Sequence, residues 1–474
     1  MRRSNRALAH FARRTWSSAG WQSSTQLAFV DAAQSIGALQ GNFARWLVEH
    51  TAKNDDYIDL SKVRMAKFPS MGHGLAAACP LSAGEVVLEI PHSLWFPLSA
   101  RYARQVAELK VPQFVSHLKR VQEHLSCWGV DTGPKLDQHV LLGLHILFEF
   151  ADDSSFLQPY LQMLPLRFET PIFWDTRRRQ ELQATKAAKA TEDYETFIRA
   201  VHQSVLRGGD VPYPLFVWSL SVILSRAVSG KHGSLYPYTL VPLFDLLNHS
   251  PQPTCFHNFD PHRQVFVVKT LKDHDPGDQL FISYGDISNE KLLRLYGFTT
   301  PDIMHEVCEL APRWPEVDED DPMHATKLLL LRECVLGYDG PISISLSKKK
   351  NNLADMMQRI RVLQLEPEDL EPGHCLQGMN PSPEDLDFFQ PVSSRNEASS
   401  ALALSDMIQE KLNSYATSLE EDQNMIMQAT VNPEKLPVWK LCALDCRMGE
   451  KLVLQQVLED VNVIHSYWTE QLRK

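Results

Sequence analysis

The sequence predicts an α+β fold: a small β-rich core that contains a helical insert, followed by an all-helical C-terminal domain. From about residue 100 to 216 the apolar spacing is helical, and strand-like pieces return between residues 240 and 284. Beyond residue 304 the spacing is again mainly helical, and a chain of 474 residues suits two to three domains. The first β-rich pieces, separated by Gly and Pro, are residues 63–68, 74–78 and 85–90.

A basic segment, residues 1–40, precedes this core. Its first 30 residues contain five Arg, and no acidic residue comes before Asp31. Such a composition is typical of a transit peptide, which predicts a plastid or mitochondrial protein. The alternative is a disordered basic tail on a cytoplasmic protein. Residues 43–50 then predict a short amphipathic helix.

The remaining segments complete the domain plan. A polar, Pro-rich and acidic stretch from about 365 to 400 predicts a long surface loop, and residues 401–472 predict two or three long amphipathic helices. The longest apolar run, residues 140–150, is far shorter than the ~20 residues that cross a bilayer. We therefore expect no transmembrane span. Within the insert, helices are predicted at residues 102–109, 138–150 and 191–206.

The charge of the chain indicates which partners it binds. Its net charge of -11 argues against a nucleic-acid partner, because binding to phosphates requires clustered Lys and Arg. The eight Cys are scattered and favour buried thiols in a reducing compartment. We therefore expect a protein or small-molecule partner.

Two short motifs could bind a ligand. Gly72-His73-Gly74 lies between two predicted strands, where paired glycines permit positive φ angles and a close backbone approach; a simple turn is the alternative. In LVPLFDLLNHS, residues 240–250, Asn248 can donate and accept hydrogen bonds at once, which suits an amino-acid moiety. This second motif could instead be a strand-end cap or a glycosylation sequon. A metal site is a further alternative, with the candidate ligands His249, Cys255, His257 and His262.

A third motif, FISYGDISNEKLLRLYGF, spans residues 281–298. A strand ends at Tyr284, Ser288 can cap a helix, and that helix stops at Gly297. Three aromatic residues, Tyr284, Tyr296 and Phe298, could line a site or could pack in the core.

Together these motifs resemble the SET-domain protein methyltransferases, within them the subgroup of the Rubisco large-subunit lysine methyltransferase. FLQPYLQMLP (residues 156–165), LSRAVS (224–229) and RMGEKLVLQQV (447–457) add to the resemblance. It covers residues 43–300 strongly and 400–470 moderately, and residues 310–400 poorly. It implies a SET domain at residues 43–300 and a Rubisco-substrate-binding-like domain at 301–474.

The resemblance implies S-adenosyl-L-methionine as the cofactor. Gly72-His73-Gly74 would hold its methionine part, and Arg226 would contact its carboxylate. Asn248 and His249 would bind its amino-acid and adenine parts, largely through their backbone.

The resemblance also implies how the acceptor is held. Tyr284 would be the tyrosine at the transfer site, and Tyr296 and Phe298 would line the channel for the acceptor side chain. Backbone carbonyls would surround the methyl group, near Ser225, Arg226 and Asp245. An apolar channel beside a sulfonium lowers the pKa of a lysine, near 10.4 in water, so that no general base is needed.

The expected function is therefore lysine methylation of a protein by a monomer. The chain lacks the Cys-rich zinc clusters of many histone-directed SET enzymes, which predicts a non-histone substrate and no metal. A histidine acceptor on the same scaffold is one alternative. A non-catalytic SET-like binding module is another, although the presence of Arg226, Asn248, His249 and Tyr284 argues against it.

Overall fold

The fold is known from a computed structural model, in which the described residues form two compact units. The first unit comprises the described residues up to Phe173, with Ala190–Gly285 and Leu295–Gly297. The second comprises Trp174–Lys189, Asp286–Arg294 and Phe298–Lys474. The structure describes residues 41–69, 71–98, 103–105, 108, 114–127, 136–150, 152, 154–165, 167–206, 211–229, 238–310, 321–334, 342–345, 353–378, 381–431 and 436–474.

The described residues of the first unit form ten short strands. In chain order they are β1 Val63–Phe68, β2 Gly72–Ala77, β3 Val86–Pro91, β4 Phe96–Pro97, β5 Val228–Ser229, β6 Tyr238–Leu240, β7 Asn248–His249, β8 Cys255–Asp260, β9 Val265–Thr270 and β10 Phe281–Ile282. They pair as small sheets: β1 with β2, β3-β9-β8, β4-β6-β5, and β7 with β10. In β9 buried Phe266, Val268 and Thr270 alternate with more exposed residues, as expected for a strand with one face on the core.

Helices precede β1, fill the insert between β4 and β5, and follow β10. The helix α7, which ends the insert, is buried all round over residues 215–223. Its sequence there is apolar except for Ser219 and Ser221, whose hydroxyls donate to backbone carbonyls of the same helix. The helices are α1 (residues 41–53), α2 Phe114–Ser126, α3 Leu136–Phe150, α4 Gln158–Leu161, α5 Thr176–Gln180, α6 Lys186–Ala200, α7 Tyr213–Arg226 and α8 Asn289–Tyr296. Of the helix predicted at 102–109, the described residues 103–105 and 108 are helical. The other residues of that prediction, and the predicted transit peptide at 1–40, lie outside the described residues.

The second unit is mainly helical. Its further elements are β11 Val307–Leu310, α9 His324–Cys334, β12 Ile342–Ser345, α10 Leu353–Leu363, α11 Ser394–Ser414, α12 Leu419–Val431 and α13 Val438–Leu472. The strands β11 and β12 form an antiparallel pair that the sequence pattern did not predict. α11 packs against α13 around buried residues such as Leu404, Val453 and Leu454.

The stretch 365–400 differs from the predicted surface loop. Leu365, Phe388 and Val392 are buried, and α11 already begins at Ser394. Polar residues are accommodated here because they have partners: both carboxylate oxygens of Glu397 accept hydrogen bonds from the Arg361 guanidinium, at 2.7 and 2.8 Å. The segment is polar in composition yet part of a core.

Candidate active site

The parallel pairing of β7 and β10 brings two of the three motifs together. Phe281 lies opposite Asn248, and Ile282 lies opposite His249. Two residues further along, the backbone N–H of Tyr284 donates to Nδ1 of His249 at 3.0 Å, and the two rings have centroids 5.2 Å apart. The strand pairing thus places Tyr284 beside the Asn248-His249 pair.

The Tyr284 side chain is fixed at its hydroxyl end. That hydroxyl donates to the backbone carbonyl of Leu247 at 2.8 Å, and the Tyr296 ring lies 4.8 Å away, centroid to centroid. Burial raises the pKa of Tyr284, as it does that of Tyr296, so both hydroxyls stay neutral at physiological pH. The Tyr284 oxygen can therefore accept weak CH···O contacts while its proton is engaged elsewhere.

The Gly72-His73-Gly74 motif approaches Asn248 closely. Gly72 has a φ of +73°, and the Asn248 side-chain amide donates to the His73 carbonyl at 3.4 Å. A Cβ at Gly74 would lie 2.7 Å from Nδ2 of Asn248 and 3.0 Å from Nε2 of Gln279, so only glycine fits without a shift. The motif forms the start of β2, whereas the sequence predicted it between two strands.

This region has the chemistry that an amino-acid moiety needs. Nε2 of Gln279 is buried and has no hydrogen-bond partner in the part of the chain that the structure describes. Such an unpartnered donor beside the Asn248 amide can serve a carboxylate. The residues present therefore fit the methionine end of S-adenosylmethionine.

Arg226 and Asp245 form a buried ion pair next to this region. Nη1 of Arg226 donates to the Asp245 carboxylate at 3.0 Å and to the Asp245 backbone carbonyl at 3.1 Å. The Asp245 side chain is 2% exposed and that of Arg226 19%. Nε of Arg226 has no hydrogen-bond partner among the described residues, so the guanidinium keeps a donor for a ligand carboxylate. The predicted contact of Arg226 with the cofactor stays a prediction.

The structure places the other predicted site residues without testing the roles predicted for them. Ser225 lies at the end of α7 and its hydroxyl donates to the Ser221 carbonyl at 2.7 Å. Phe298 is half-buried in the second unit, so its place in an acceptor channel stays a prediction. Among the described residues no three His, Cys, Asp or Glu side chains gather as metal ligands, and the alternative set from His249 to His262 does not come together.

Three groups at this site were not predicted. They are Tyr160, whose hydroxyl donates to the Asp245 carboxylate at 2.7 Å, the Leu247 carbonyl and the Gln279 amide. The stretch 156–165 that added to the family resemblance contains Tyr160, and this was the one signal that could have indicated it.

Family models match both halves of the chain. A SET-domain model matches residues 72–285, and a model described as Rubisco LSMT substrate-binding matches residues 318–454. The chain belongs to the SET-domain family. It is accordingly an S-adenosylmethionine-dependent methyltransferase, and the predicted fold class and cofactor are confirmed.

Individual relatives agree with the family. The chain is 24% identical to actin-histidine N-methyltransferase of Homo sapiens and 25% identical to that of Mus musculus, over 91% of this chain and 69% of each relative. The structure of Rubisco LSMT bound to AdoMet superposes with a TM-score of 0.66 at 21% identity, covering 91% of this chain and 93% of the other. The SET domain of LSMT bound to lysine and AdoHcy gives 0.66 at 20% identity, covering 92% and 93%.

No helix among the described residues is both long and apolar enough to cross a membrane.

Proposed function

We propose that the chain is a protein-lysine N-methyltransferase that acts as a monomer on a non-histone protein. The observation that carries this proposal is the arrangement of Tyr284, whose hydroxyl is held by the Leu247 carbonyl beside the Tyr296 ring. Flat, half-buried rings suit the alkyl chain of a lysine, which packs along aromatic faces. The same apolar surroundings favour the neutral amine, because desolvation disfavours the ammonium form.

In this proposal each part of the site has a separate task. S-adenosylmethionine, when bound, supplies an electrophilic methyl group on a sulfonium. Asn248 and Gln279 bind the amino-acid end of the cofactor, and Arg226 offers its free Nε–H to the carboxylate. The Tyr284 oxygen orients the acceptor amine, which enters as the free base after releasing its proton to solvent. Holding the two reacting groups in line in this way supplies most of the rate enhancement of a methyl displacement.

A histidine acceptor is the second candidate. The actin-histidine N-methyltransferases, at 24 to 25% identity over 91% of the chain, favour it. An imidazole has an ordinary pKa near 6.5 and is largely neutral at pH 7, so a histidine needs less desolvation than a lysine does. A histidine acceptor does need a hydrogen bond at one ring nitrogen, which fixes the tautomer and leaves the other nitrogen free to attack the methyl group.

The acceptor can be identified by hydrolysis of the product. The purified chain is incubated with cell lysate and methyl-labelled S-adenosylmethionine, and the labelled protein is hydrolysed to amino acids. Labelled methyllysine supports the proposal, and labelled methylhistidine replaces it with the second candidate. A matched lysate reaction without the chain controls for lysate enzymes, and a reaction with purified histones tests the non-histone assignment. Absence of chain-dependent label in protein would refute both candidates.

Three further assignments are proposals as well. We propose that the SET domain spans residues 43–300, that the substrate-binding domain follows at 301–474, and that residues 1–40 direct the chain to an organelle. A fluorescent fusion of residues 1–40 tests the last of these, since a diffuse cytoplasmic signal would contradict it.

A further inference from the structure

Tyr160 lies on the helical insert, far in sequence from the three motifs, yet its hydroxyl reaches the site. It belongs to the short helix α4, and its side chain is only 2% exposed. The hydroxyl donates to Oδ2 of Asp245 at 2.7 Å, the same oxygen that accepts from Arg226. Removing a hydroxyl and a carboxylate from water costs free energy, and their hydrogen bond only offsets it. Such a buried pair indicates a role beyond packing.

Asp245 sits in a turn whose backbone is strained. The turn is a single 3-10 helical turn, Phe244–Leu246, and the residue before it, Leu243, has a φ of +75° and a ψ of -43°. A leucine with a positive φ in a sparsely populated region costs about 1 to 3 kcal/mol and persists only where the surroundings hold it there. The two bonds from Arg226 and the bond from Tyr160 all end on Asp245 and supply that restraint.

The same turn holds Tyr284. The N–H of Leu247 donates to the Phe244 carbonyl at 3.0 Å, which closes the turn, and the Leu247 carbonyl then accepts the Tyr284 hydroxyl. Asp245 and the Leu247 carbonyl are therefore two residues apart on one rigid turn. A shift of Asp245 would move the group that orients Tyr284.

We propose that Tyr160 is a positioning residue for methyl transfer. Its hydroxyl holds the backbone turn at Asp245 in place, and the Leu247 carbonyl at the end of that turn then orients the Tyr284 hydroxyl. The inference rests on the proposed methyl transfer at Tyr284, and it holds for a lysine or a histidine acceptor. Burial and the adjacent Asp245 carboxylate raise the pKa of Tyr160 well above its usual value, so the hydroxyl remains a donor throughout the physiological range.

A double-mutant cycle on the full chain tests this coupling. Transfer of labelled methyl groups to lysate protein is measured at saturating S-adenosylmethionine for wild type, Tyr160→Phe, Tyr284→Phe and the double variant. We expect Tyr160→Phe to lower the rate about tenfold in the wild-type background. In the Tyr284→Phe background the same change should have less than about a twofold effect, because the group it positions is gone.

The matched control is Tyr415→Phe. The Tyr415 hydroxyl is also buried and donates to a buried carboxylate, Oε2 of Glu450 at 2.6 Å, but in the second unit. Tyr160→Phe and Tyr415→Phe should lower the melting temperature by similar amounts, while only Tyr160→Phe lowers the rate. Calorimetry should give a cofactor Kd for Tyr160→Phe within about threefold of wild type, since the ion pair of Arg226 with Asp245 remains.

Three outcomes would overturn the inference. If Tyr160→Phe lowers the methyl-transfer rate by the same factor in the wild-type and Tyr284→Phe backgrounds, Tyr160 does not act through Tyr284. A Tyr160→Phe rate that returns to the wild-type value when the S-adenosylmethionine concentration is raised further, with a correspondingly weaker cofactor Kd, would place its effect on the cofactor instead. A wild-type chain that labels no protein would overturn the proposed function, and this inference with it.

Discussion

Glu306 is the group through which pH should act most strongly on the second unit. Its side chain is 1% exposed, and one carboxylate oxygen accepts the N–H of Asn289 at 2.9 Å. Burial, together with the nearby Glu450 and Glu290, raises the pKa of Glu306 to about 8. A Cβ on Gly449 would lie 2.7 Å from the carboxyl carbon, so the carboxyl group is tightly enclosed.

The direction of the effect follows from proton binding. Between its ordinary pKa of 4.5 and about 8, Glu306 is protonated in the folded chain and ionised in the unfolded chain. Its contribution to stability is therefore complete below pH 4.5 and is lost as pH rises through 8. At about 1.4 kcal/mol for each pH unit, the shift from 4.5 to about 8 corresponds to a loss of about 5 kcal/mol. Glu450, raised to about 7, acts in the same direction.

The variant Glu306→Gln removes this titration and keeps the oxygen that accepts from Asn289. Calorimetric melting from pH 5 to pH 9 should show that the wild-type second unit loses stability across this range. The variant should lose less, and it should be the more stable chain at about pH 9. Glu309→Gln is the control, because Glu309 lies on β11 with its side chain 33% exposed and paired with Lys186. Parallel melting curves for wild type and Glu306→Gln would refute the reasoning.

Three further substitutions probe the cofactor region and the second unit. Asn248→Ala should weaken calorimetric S-adenosylmethionine binding by roughly 1 to 3 kcal/mol while the chain stays folded, and an unchanged Kd would remove Asn248 from the site. Gly74→Ala should weaken the same binding about tenfold with little loss of melting temperature, since its methyl group displaces the amides of Asn248 and Gln279. Arg361→Ala leaves the buried Glu397 carboxylate unpaired and should cost about 3 to 5 kcal/mol in urea unfolding, and a cost under about 1 kcal/mol would contradict the burial.

The parts of this fold that were predictable are those set by local pattern. β1, β2 and β3 follow from β-rich residues bounded by Gly and Pro, and α3 follows from its helical apolar spacing. The stretch 365–400 was missed because its polar residues are buried through partners distant in sequence. Arg361 and Glu397, 36 residues apart, are such a pair, and no local pattern records it.

The site residues, too, divide into those that local sequence predicts and those that depend on distant parts of the chain. The motif around Asn248 and the motif around Tyr284 each carry a recognisable local sequence, and one parallel strand pair brings them together. Tyr160 was not predicted because it reaches Asp245 across 85 residues, and the family resemblance of residues 156–165 did not show what its hydroxyl contacts. Groups that act from a distant element are visible only once the chain is folded.

Removing the Tyr284 hydroxyl tests the central claim most directly. Tyr284→Phe keeps the ring and its contacts with His249 and Tyr296, and it removes the 2.8 Å bond to Leu247. That bond contributes about 1 kcal/mol to stability, whereas misplacing a reacting group can cost about a hundredfold in rate. Single-turnover methyl transfer should therefore fall about a hundredfold, with a near-normal cofactor Kd and a small drop in melting temperature. Near-wild-type turnover in a folded Tyr284→Phe chain would mean that Tyr284 is a packing residue and that methyl transfer takes place elsewhere.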